Sequence, residues 1–552
     1  MKKWNIQNKF RIQNSEFRIK DIINILLENR GLKTKKEIQE FLHPDISRIT
    51  LESVGIDAKE VKKAIKRIDQ TIQNKEPMVV YTDYDVDGIC AGAILWETLY
   101  GLGAKVMPYV PHRVEEGYGL SEKGIDQIAK EYKAKLILTV DHGISARERV
   151  AYAAKKGIDV IITDHHLAPE KLPQAIAIIH TTKLSGSGVA WMLSRELPTP
   201  NSQLPTQRLE LVALATIADL VPLIGPNRTL TKYGLEELNK TSRVGLLALI
   251  EESGLQIGNL GTYEVGHVLA PRINALGRLS HALDALRLLC TKDKQRARKL
   301  AQQLSMSNKE RQQLTETTIL HARELLLERQ LSQNKLLFLH HESYNQGIIG
   351  LVAGKLVEEH YRPAIVVSQG ETISKASARS IRGFNIVEAI RSCSDLLVDC
   401  GGHPMAAGFT IETIKLQLLK ERLEILAYEQ LTEEMLTRIL SIDCELQPDD
   451  ITWELSEQIN LLTPFGMGNP QPVFVLQAVT ATDIRLMGVD RRHIKFQLVE
   501  LPSIDVVGFG MGELYQKLSA DRRVNLAFTI NQNSWNGKTR LQLKLRDLII
   551  PS

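Results

Sequence analysis

Residues 78–95 read MVVYTDYDVDGICAGAIL. Met78–Tyr81 is a short unbroken apolar run, the pattern of a strand buried on both faces. Cys90–Leu99 has helical spacing and contains no proline. Between the two lie Asp83, Asp85, Asp87 and Gly88. A strand that passes into a helix through an acidic turn is the entry unit of a parallel α/β sheet. In such sheets the chemistry gathers beyond the carboxyl ends of the strands. Functional residues should therefore directly follow the other buried runs.

Working outward, apolar runs recur at Lys105–Val110, Leu136–Val140, Val160–Thr163 and Ala175–Ile179, with a further helical stretch at Ala146–Lys156. Asp141 and His142 follow the second of these runs. Asp164, His165 and His166 follow the third. Asp219 closes a later apolar stretch, Leu209–Ala218, and is read in the same way. Acids at four such ends are hard to obtain by chance.

The chain has 552 residues, too many for one core, so several domains are expected. Residues 1–75 read as a charged helical extension, and 76–282 as the parallel-sheet domain. Residues 283–332 lack Pro and Gly and read as a long connector helix, whose basic groups form a solvated face. A second α/β domain is expected over 333–432, with strands at Leu336–Leu339 and Ala364–Val367. After residue 440, short β-like runs at Val473–Leu476, His493–Leu498, Ile504–Gly508, Asn525–Ile530 and Leu541–Leu545, with turn residues such as Asn536-Gly537, predict a small antiparallel barrel. The glycines of Gly508–Gly512 read as a turn there, not as a nucleotide fingerprint.

Carboxylates converging within one turn raise one another's pKa unless a cation compensates them. Hard oxygen donors suit Mg²⁺ or Mn²⁺, and an adjacent imidazole moves the preference away from Ca²⁺. A calcium-binding helix–loop–helix also opens Asp-x-Asp-x-Asp-Gly, but it needs Glu at its twelfth position, here Ile94. Asp141 and Asp219 can complete a cluster wide enough for two ions, the arrangement that activates water and stabilises an in-line phosphoryl displacement.

These residues carry a family resemblance. DYDVDG, Asp141 in TVDHG, Asp164-His165-His166, and Asp219 in ATIADLVPL resemble, in order, the four motifs of the DHH phosphoesterases. The resemblance implies Asp83, Asp85, Asp141, His165 and Asp219 as ligands of two Mn²⁺ or Mg²⁺ ions, Asp87 and Asp141 as catalytic acids, and His166 beside the scissile phosphate. One departure is Tyr81, where many superfamily members have His. EGYGLS (116–121), GPNR (225–228) and LAPRINALGR (269–278) resemble the RecJ-type branch. SARSI (377–381) and GGHPMAAG (401–408) resemble the DHHA1 substrate-binding domain, and PFGMGNPQPVF (464–474) an oligonucleotide-binding (OB) barrel. By resemblance, Ser377, Arg379 and Arg278 hold a 5′ phosphate, with Arg272, Asn274, Gly401, Gly402 and His403 completing the substrate site. The fold class implied is α/β: a DHH domain and a DHHA1 domain joined by a long helix, plus an OB-like barrel. The activity implied is a 5′→3′ exonuclease on single-stranded DNA, serving repair and recombination.

Composition narrows the alternatives. A net charge of +4 permits a polyanionic partner without announcing one. No stretch approaches the roughly 18 apolar residues of a membrane span, and the first twenty residues have no apolar block, so a cytoplasmic protein is expected. The five cysteines are scattered and are read as reduced thiols. The motifs leave protein partners open, a single-strand binding protein included, and a monomer is the default. Two other readings compete: a DHH phosphodiesterase of short oligonucleotides, which would not need the terminal barrel, and a non-catalytic DNA-binding relative, which would have lost its ligands.

Overall fold

A computed structural model describes residues 2–8, 18–113, 115–198, 207–535 and 538–550. Three sheets organise them. The strands are β1 (Lys3–Asn8), β2 (Met78–Thr82), β3 (Val106–Tyr109), β4 (Leu136–Val140), β5 (Asp159–Asp164), β6 (Ala177–His180), β7 (Leu337–His341), β8 (Ala364–Ser368), β9 (Ile373–Arg379), β10 (Leu397–His403), β11 (Ala406–Glu412), β12 (Ile439–Glu445), β13 (Phe474–Met487), β14 (His493–Leu498), β15 (Leu501–Gly508), β16 (Arg523–Trp535) and β17 (Lys538–Ile549).

The first sheet is five-stranded, ordered β3-β2-β4-β5-β6, and all its pairings are parallel. β2 and β4 are buried along their whole length, as helices on both faces require. All five strands share a direction, so the loops after β2, β4 and β5 meet at one edge. Leu209–Ala218 departs from expectation. It is a helix, and Asp219 caps its C-terminus. Nearly all of its residues are buried, and an all-round apolar run does not distinguish buried helix from buried strand.

The connector is two helices, Leu283–Cys290 and the 35-residue Lys294–Glu328. The break needs neither Pro nor Gly: the Asp293 side chain accepts from the Arg296 amide and starts the second helix afresh. That helix leads into a second five-stranded sheet, β10-β11-β9-β8-β7. β7–β8 is parallel, and the other three pairings are antiparallel.

The terminal barrel closes through β13–β14–β15–β17–β16 and back to β13. It is not wholly antiparallel, because β15 and β17 run parallel. The Asn536-Gly537 turn lies outside the described residues. Residues 1–75 are not a separate helical unit either. β1 joins β12 in parallel, and the helix Arg18–Asn29 buries Ile22 and Leu26 in the barrel's core. The helix Ala58–Gln73 instead buries Val61, Ala64 and Ile68 in the first domain.

Two motifs fasten barrel to first domain. The guanidinium of Arg228 is buried and donates to the carbonyls of Phe41, Leu462 and Leu461 at 3.0, 2.9 and 3.2 Å. The Leu223 amide donates to the Met467 carbonyl at 2.7 Å, inside PFGMGNPQPVF. Among the described residues no helix is long and apolar enough to cross a membrane.

Candidate metal centre

The site is built at the shared edge of the first sheet. Asp85 starts the helix Val86–Gly101, its Oδ1 accepting from the amides of Asp87 and Gly88 at 2.9 and 3.1 Å. Asn274 steadies the same turn by accepting from the Val86 amide at 3.1 Å. Gly88 is required here, since a Cβ would stand 2.6 Å from the Cβ of Asp83. Asp87 points to the N-terminus of the helix Gly186–Glu196. Its oxygens accept from the amides of Gly186 and Ser187 at 2.7 and 2.6 Å, where the helix dipole favours negative charge.

Asp141 follows β4 with a φ of 67°, a left-handed conformation uncommon for a residue with a side chain. Its Oδ1 lies 3.1 Å from Nε2 of His165, which is also 3.7 Å from Oδ2 of Asp219 and 3.9 Å from Oδ2 of Asp87. Asp164 does not join this cluster. It accepts from the amides of Ile144, His165 and His166 at 2.8, 2.7 and 3.1 Å and from Nδ1 of His166 at 2.8 Å, so it aims the His166 imidazole and holds the backbone that carries both histidines. His180 donates from Nε2 to the His166 carbonyl at 2.6 Å.

Three sets of ligand atoms result, each mutually within 4.8 Å: Asp83, Asp85 and Asp141; Asp87, His165 and Asp219; Asp141, His165 and His166. Oδ1 of Asp83 and Oδ1 of Asp141 are buried and accept no hydrogen bond. Burial, and then neighbouring carboxylates, push Asp83, Asp85, Asp141 and Asp219 above the usual aspartate range. Burial lowers His165, which favours the neutral imidazole a metal needs. For His166 burial works the same way and is the largest single effect, but the Asp164 hydrogen bond and the charges of Asp164, Asp219 and Asp87 together outweigh it and the pKa rises. Orphaned oxygens, crowded acids and a neutral imidazole fit hard divalent ions.

Tyr81 takes no part. Its side chain lies on the opposite face of β2, against Tyr109 and His142 at ring distances of 4.8 and 5.2 Å, with its hydroxyl 3.5 Å from Oγ of Ser121.

The raised aspartates give a stability prediction. Above the ordinary aspartate value of about 3.9 the unfolded chain loses protons that the folded, metal-free cluster retains, so folding stability falls as pH rises. The melting temperature in chelator should fall from about pH 5 to about pH 8, and saturating Mn²⁺ should abolish that fall. Equal slopes with and without Mn²⁺, read by scanning calorimetry, would contradict it.

A cleft of about 840 Å³ runs from these acids to the second domain, lined by Asp83, Asp85, Asp219, Asn274, Arg278, Ser377, Arg379, Gly402 and His403. The fold thus brings together residues from five separate segments of the chain. His403 stacks toward His166 across it, at a ring distance of 6.5 Å and an interplanar angle of 14°. Gly402 has a φ of 139°, and a Cβ there would stand 2.4 Å from the Ala406 carbonyl oxygen. Burial and the nearby Arg113, Arg311 and Arg379 push Arg278 down to about 10. A cluster of cations that repel one another in a cleft is a binding site for an anion.

Two expected residues lie elsewhere. Arg272 turns to the connector, donating to Oγ of Ser305 at 3.3 Å and to the Val268 carbonyl at 2.7 Å, outside the cleft. Gly401 lies on β10 in the cross-strand row of Ser377 and Gly408 but does not itself line the cleft. Others were not expected. Arg113 follows β3, so the strand-end rule could have found it. Tyr118, inside EGYGLS, donates to the Asp141 carbonyl at 3.1 Å. Gly186 and Ser187 act through backbone amides, which leave no side-chain signature.

The three domains have counterparts among known proteins. Family models match residues 77–216 (DHH family, N-terminal domain), 333–429 (DHHA1 domain) and 442–547 (RecJ OB domain). The chain is 37% identical to the single-stranded-DNA-specific exonuclease RecJ of Bacillus subtilis, across 99% of this chain and 71% of that protein. It is 31% identical to RecJ of Escherichia coli, across 95% and 94%. The crystal structure of Thermus thermophilus RecJ with Mn²⁺ superposes with a TM-score of 0.83 at 29% identity, covering 100% of this chain and 80% of that one. The same protein with Mg²⁺ gives 0.77 at 28% identity.

Proposed function

Because the chain belongs to the RecJ family of single-stranded-DNA-specific exonucleases, we propose that it degrades single-stranded DNA from the 5′ end at the cleft between its two α/β domains. It is a metal-dependent hydrolase of phosphodiester bonds, and Mn²⁺ or Mg²⁺ is its cofactor. The observation that carries the reading is the gathering of Asp83, Asp85, Asp87, Asp141, His165 and Asp219 around orphaned buried oxygens. These residues would hold two ions, with Asp141 shared between them. When bound, such ions supply an activated water and charge stabilisation at the attacking and leaving oxygens.

The chain's own groups do the rest. The amides of Gly186 and Ser187 hold both oxygens of Asp87 in place. Asp164 orients His166 and favours its protonated form, so His166 can donate to an oxygen of the scissile phosphate. Arg379 donates to Oγ of Ser377 at 3.1 Å and to the Ala378 carbonyl at 2.8 Å, which fixes it as one wall of a terminal-phosphate pocket with Arg278. That pocket sets the polarity. Arg379→Ala should reduce hydrolysis of 5′-phosphorylated strands at least about tenfold more than of 5′-hydroxyl strands, since a terminal monoester carries more charge than an internal diester. Equal losses on both would remove the preference for a terminal monoester.

The barrel adds grip. Phe509 is 52% exposed, set edge-on to His493 at 5.4 Å with the Lys544 ammonium 5.4 Å from its centroid. An exposed ring among cations is a stacking platform for a base. Phe509→Ala should weaken binding of long single strands about tenfold and leave strands too short to reach the barrel unaffected, as read by fluorescence anisotropy. A cytoplasmic site of action, and a single-strand binding protein as partner, fit this substrate. Digestion of end-labelled single- and double-stranded DNA with Mn²⁺ or chelator tests metal need, strand choice and polarity together.

A further inference from the structure

Resting on the phosphate role of Arg379 and Ser377, we infer that the cleft continues past them into a nucleoside subsite on the sheet of the second domain. The register of β9, β11 and β10 sets three cross-strand rows on one face: Arg379–Ala406–His403, Ser377–Gly408–Gly401 and Lys375–Thr410–Asp399. The opposite face, with Ala376, Ala378, Ala407, Phe409 and Ile411, is core. The helix Ile349–His360 covers the β7–β8 half of the row-bearing side, packing Val352 and Leu356 on Leu339 and Val366. The three rows are left facing the first domain.

The phosphate pocket is therefore open at its far end. The middle row holds only one short side chain, that of Ser377. A Cβ on Gly401 would meet nothing within 4 Å, and one on Gly408 would meet only the Ala376 carbonyl oxygen, at 3.4 Å. One cavity is lined by Asp83 and Asp85 at its first end and by Lys375, Asp399 and Thr410 at the other. Among the described residues, the ammonium of Lys375 and the carboxylate of Asp399 pair with no other side chain, although Lys415 and Glu412 close by pair with each other. An ammonium, a hydroxyl and a carboxylate in one row offer donors and acceptors together, which match the edge of a base or the hydroxyls of a sugar. A second phosphate would meet the Asp399 charge. Rows two residues apart on a strand are separated by about 6.6 Å, within reach of a nucleoside esterified to the bound phosphate.

Two registers follow. A 5′-phosphorylated strand seats its terminal phosphate at Arg379 and leaves the outer row empty. A 5′-hydroxyl strand has no terminal phosphate, so its first internucleotide phosphate takes the pocket and its first nucleoside lies over Lys375, Thr410 and Asp399. In either register one water cleaves one phosphodiester bond, but in the second the cut falls one bond further along. The first product is a mononucleotide from the phosphorylated strand and a dinucleotide unit from the hydroxyl strand.

The test is a single-turnover digestion of one oligonucleotide sequence carrying either 5′ end, with Mn²⁺, and the first products weighed by mass spectrometry. The wild type should release the dinucleotide unit from the hydroxyl strand. Lys375→Ala and Asp399→Asn should lower the dinucleotide share about fivefold or more while leaving hydrolysis of the phosphorylated strand within about twofold. A mononucleoside as first product of the hydroxyl strand, an unchanged share in both variants, or a hydroxyl strand left intact beside a degraded phosphorylated one would overturn the subsite. Failure to degrade either strand would instead overturn the exonuclease reading beneath it.

Discussion

Asp141→Asn is expected to lower hydrolysis of single-stranded DNA by at least about a thousandfold while leaving strand binding and the fold intact. Among the acids of the cluster Asp141 alone belongs to two of the three ligand sets, as His165 does among the imidazoles, so its charge is shared where each other carboxylate serves one set. Its Oδ1 is buried and accepts no hydrogen bond, which leaves it free for an ion. Asn is the informative replacement because the position has a φ of 67°, a conformation Asn tolerates and Ala pays about 1–2 kcal/mol to adopt. Asp141→Ala should lose the same activity and melt lower. Anisotropy with a labelled oligonucleotide in Ca²⁺ or chelator reads binding apart from cleavage. Activity of Asp141→Asn within tenfold of wild type in Mn²⁺ would refute the shared-ligand assignment.

Gly186→Ala should cost about a hundredfold in turnover, although the residue carries no side chain and touches no substrate. A Cβ there would stand 2.4 Å from Oδ1 of Asp141 and 2.7 Å from its Cβ, so either the ligand or the helix Gly186–Glu196 must move. Moving the helix draws the Gly186 amide away from Asp87, to which it donates at 2.7 Å. Either shift displaces a ligand by a fraction of an ångström to an ångström, the scale on which two-ion chemistry fails. The variant should fold, bind single strands, and need a higher Mn²⁺ concentration for half-maximal activity. Wild-type kinetics and Mn²⁺ dependence would show that the helix start is not coupled to the acids.

The acids were legible in the sequence because parallel strands place their following loops at one edge, and a buried run marks each strand. Asp141, and the Asp164-His165-His166 run, needed only that rule. Asp219 was found for a reason that was partly wrong: Leu209–Ala218 is a buried helix, and its end reaches the same edge as the strand loops. Asp87 and Asp164 were harder. Both sit among ligands in the sequence, but the hydrogen bonds of Asp164 make it an orienting group, and those of Asp87 tie it to a helix start almost a hundred residues away. Arg272 and Arg278 lie six positions apart on a motif that looks uniform. Only the packing of the connector helix decides that one faces Ser305 and the other faces the cleft. The barrel's parallel β15–β17 pair, and the recruitment of β1 to β12, depend on contacts between distant segments that no local pattern encodes.

The most direct measurement is an anomalous difference map from crystals of the protein soaked in Mn²⁺. Two peaks are expected within coordination distance of Asp83, Asp85, Asp87, Asp141, His165 and Asp219, about 3.5–4 Å apart, with Asp141 between them. No peak at these residues, or peaks only at surface carboxylates, would contradict the metal centre on which the assigned chemistry depends.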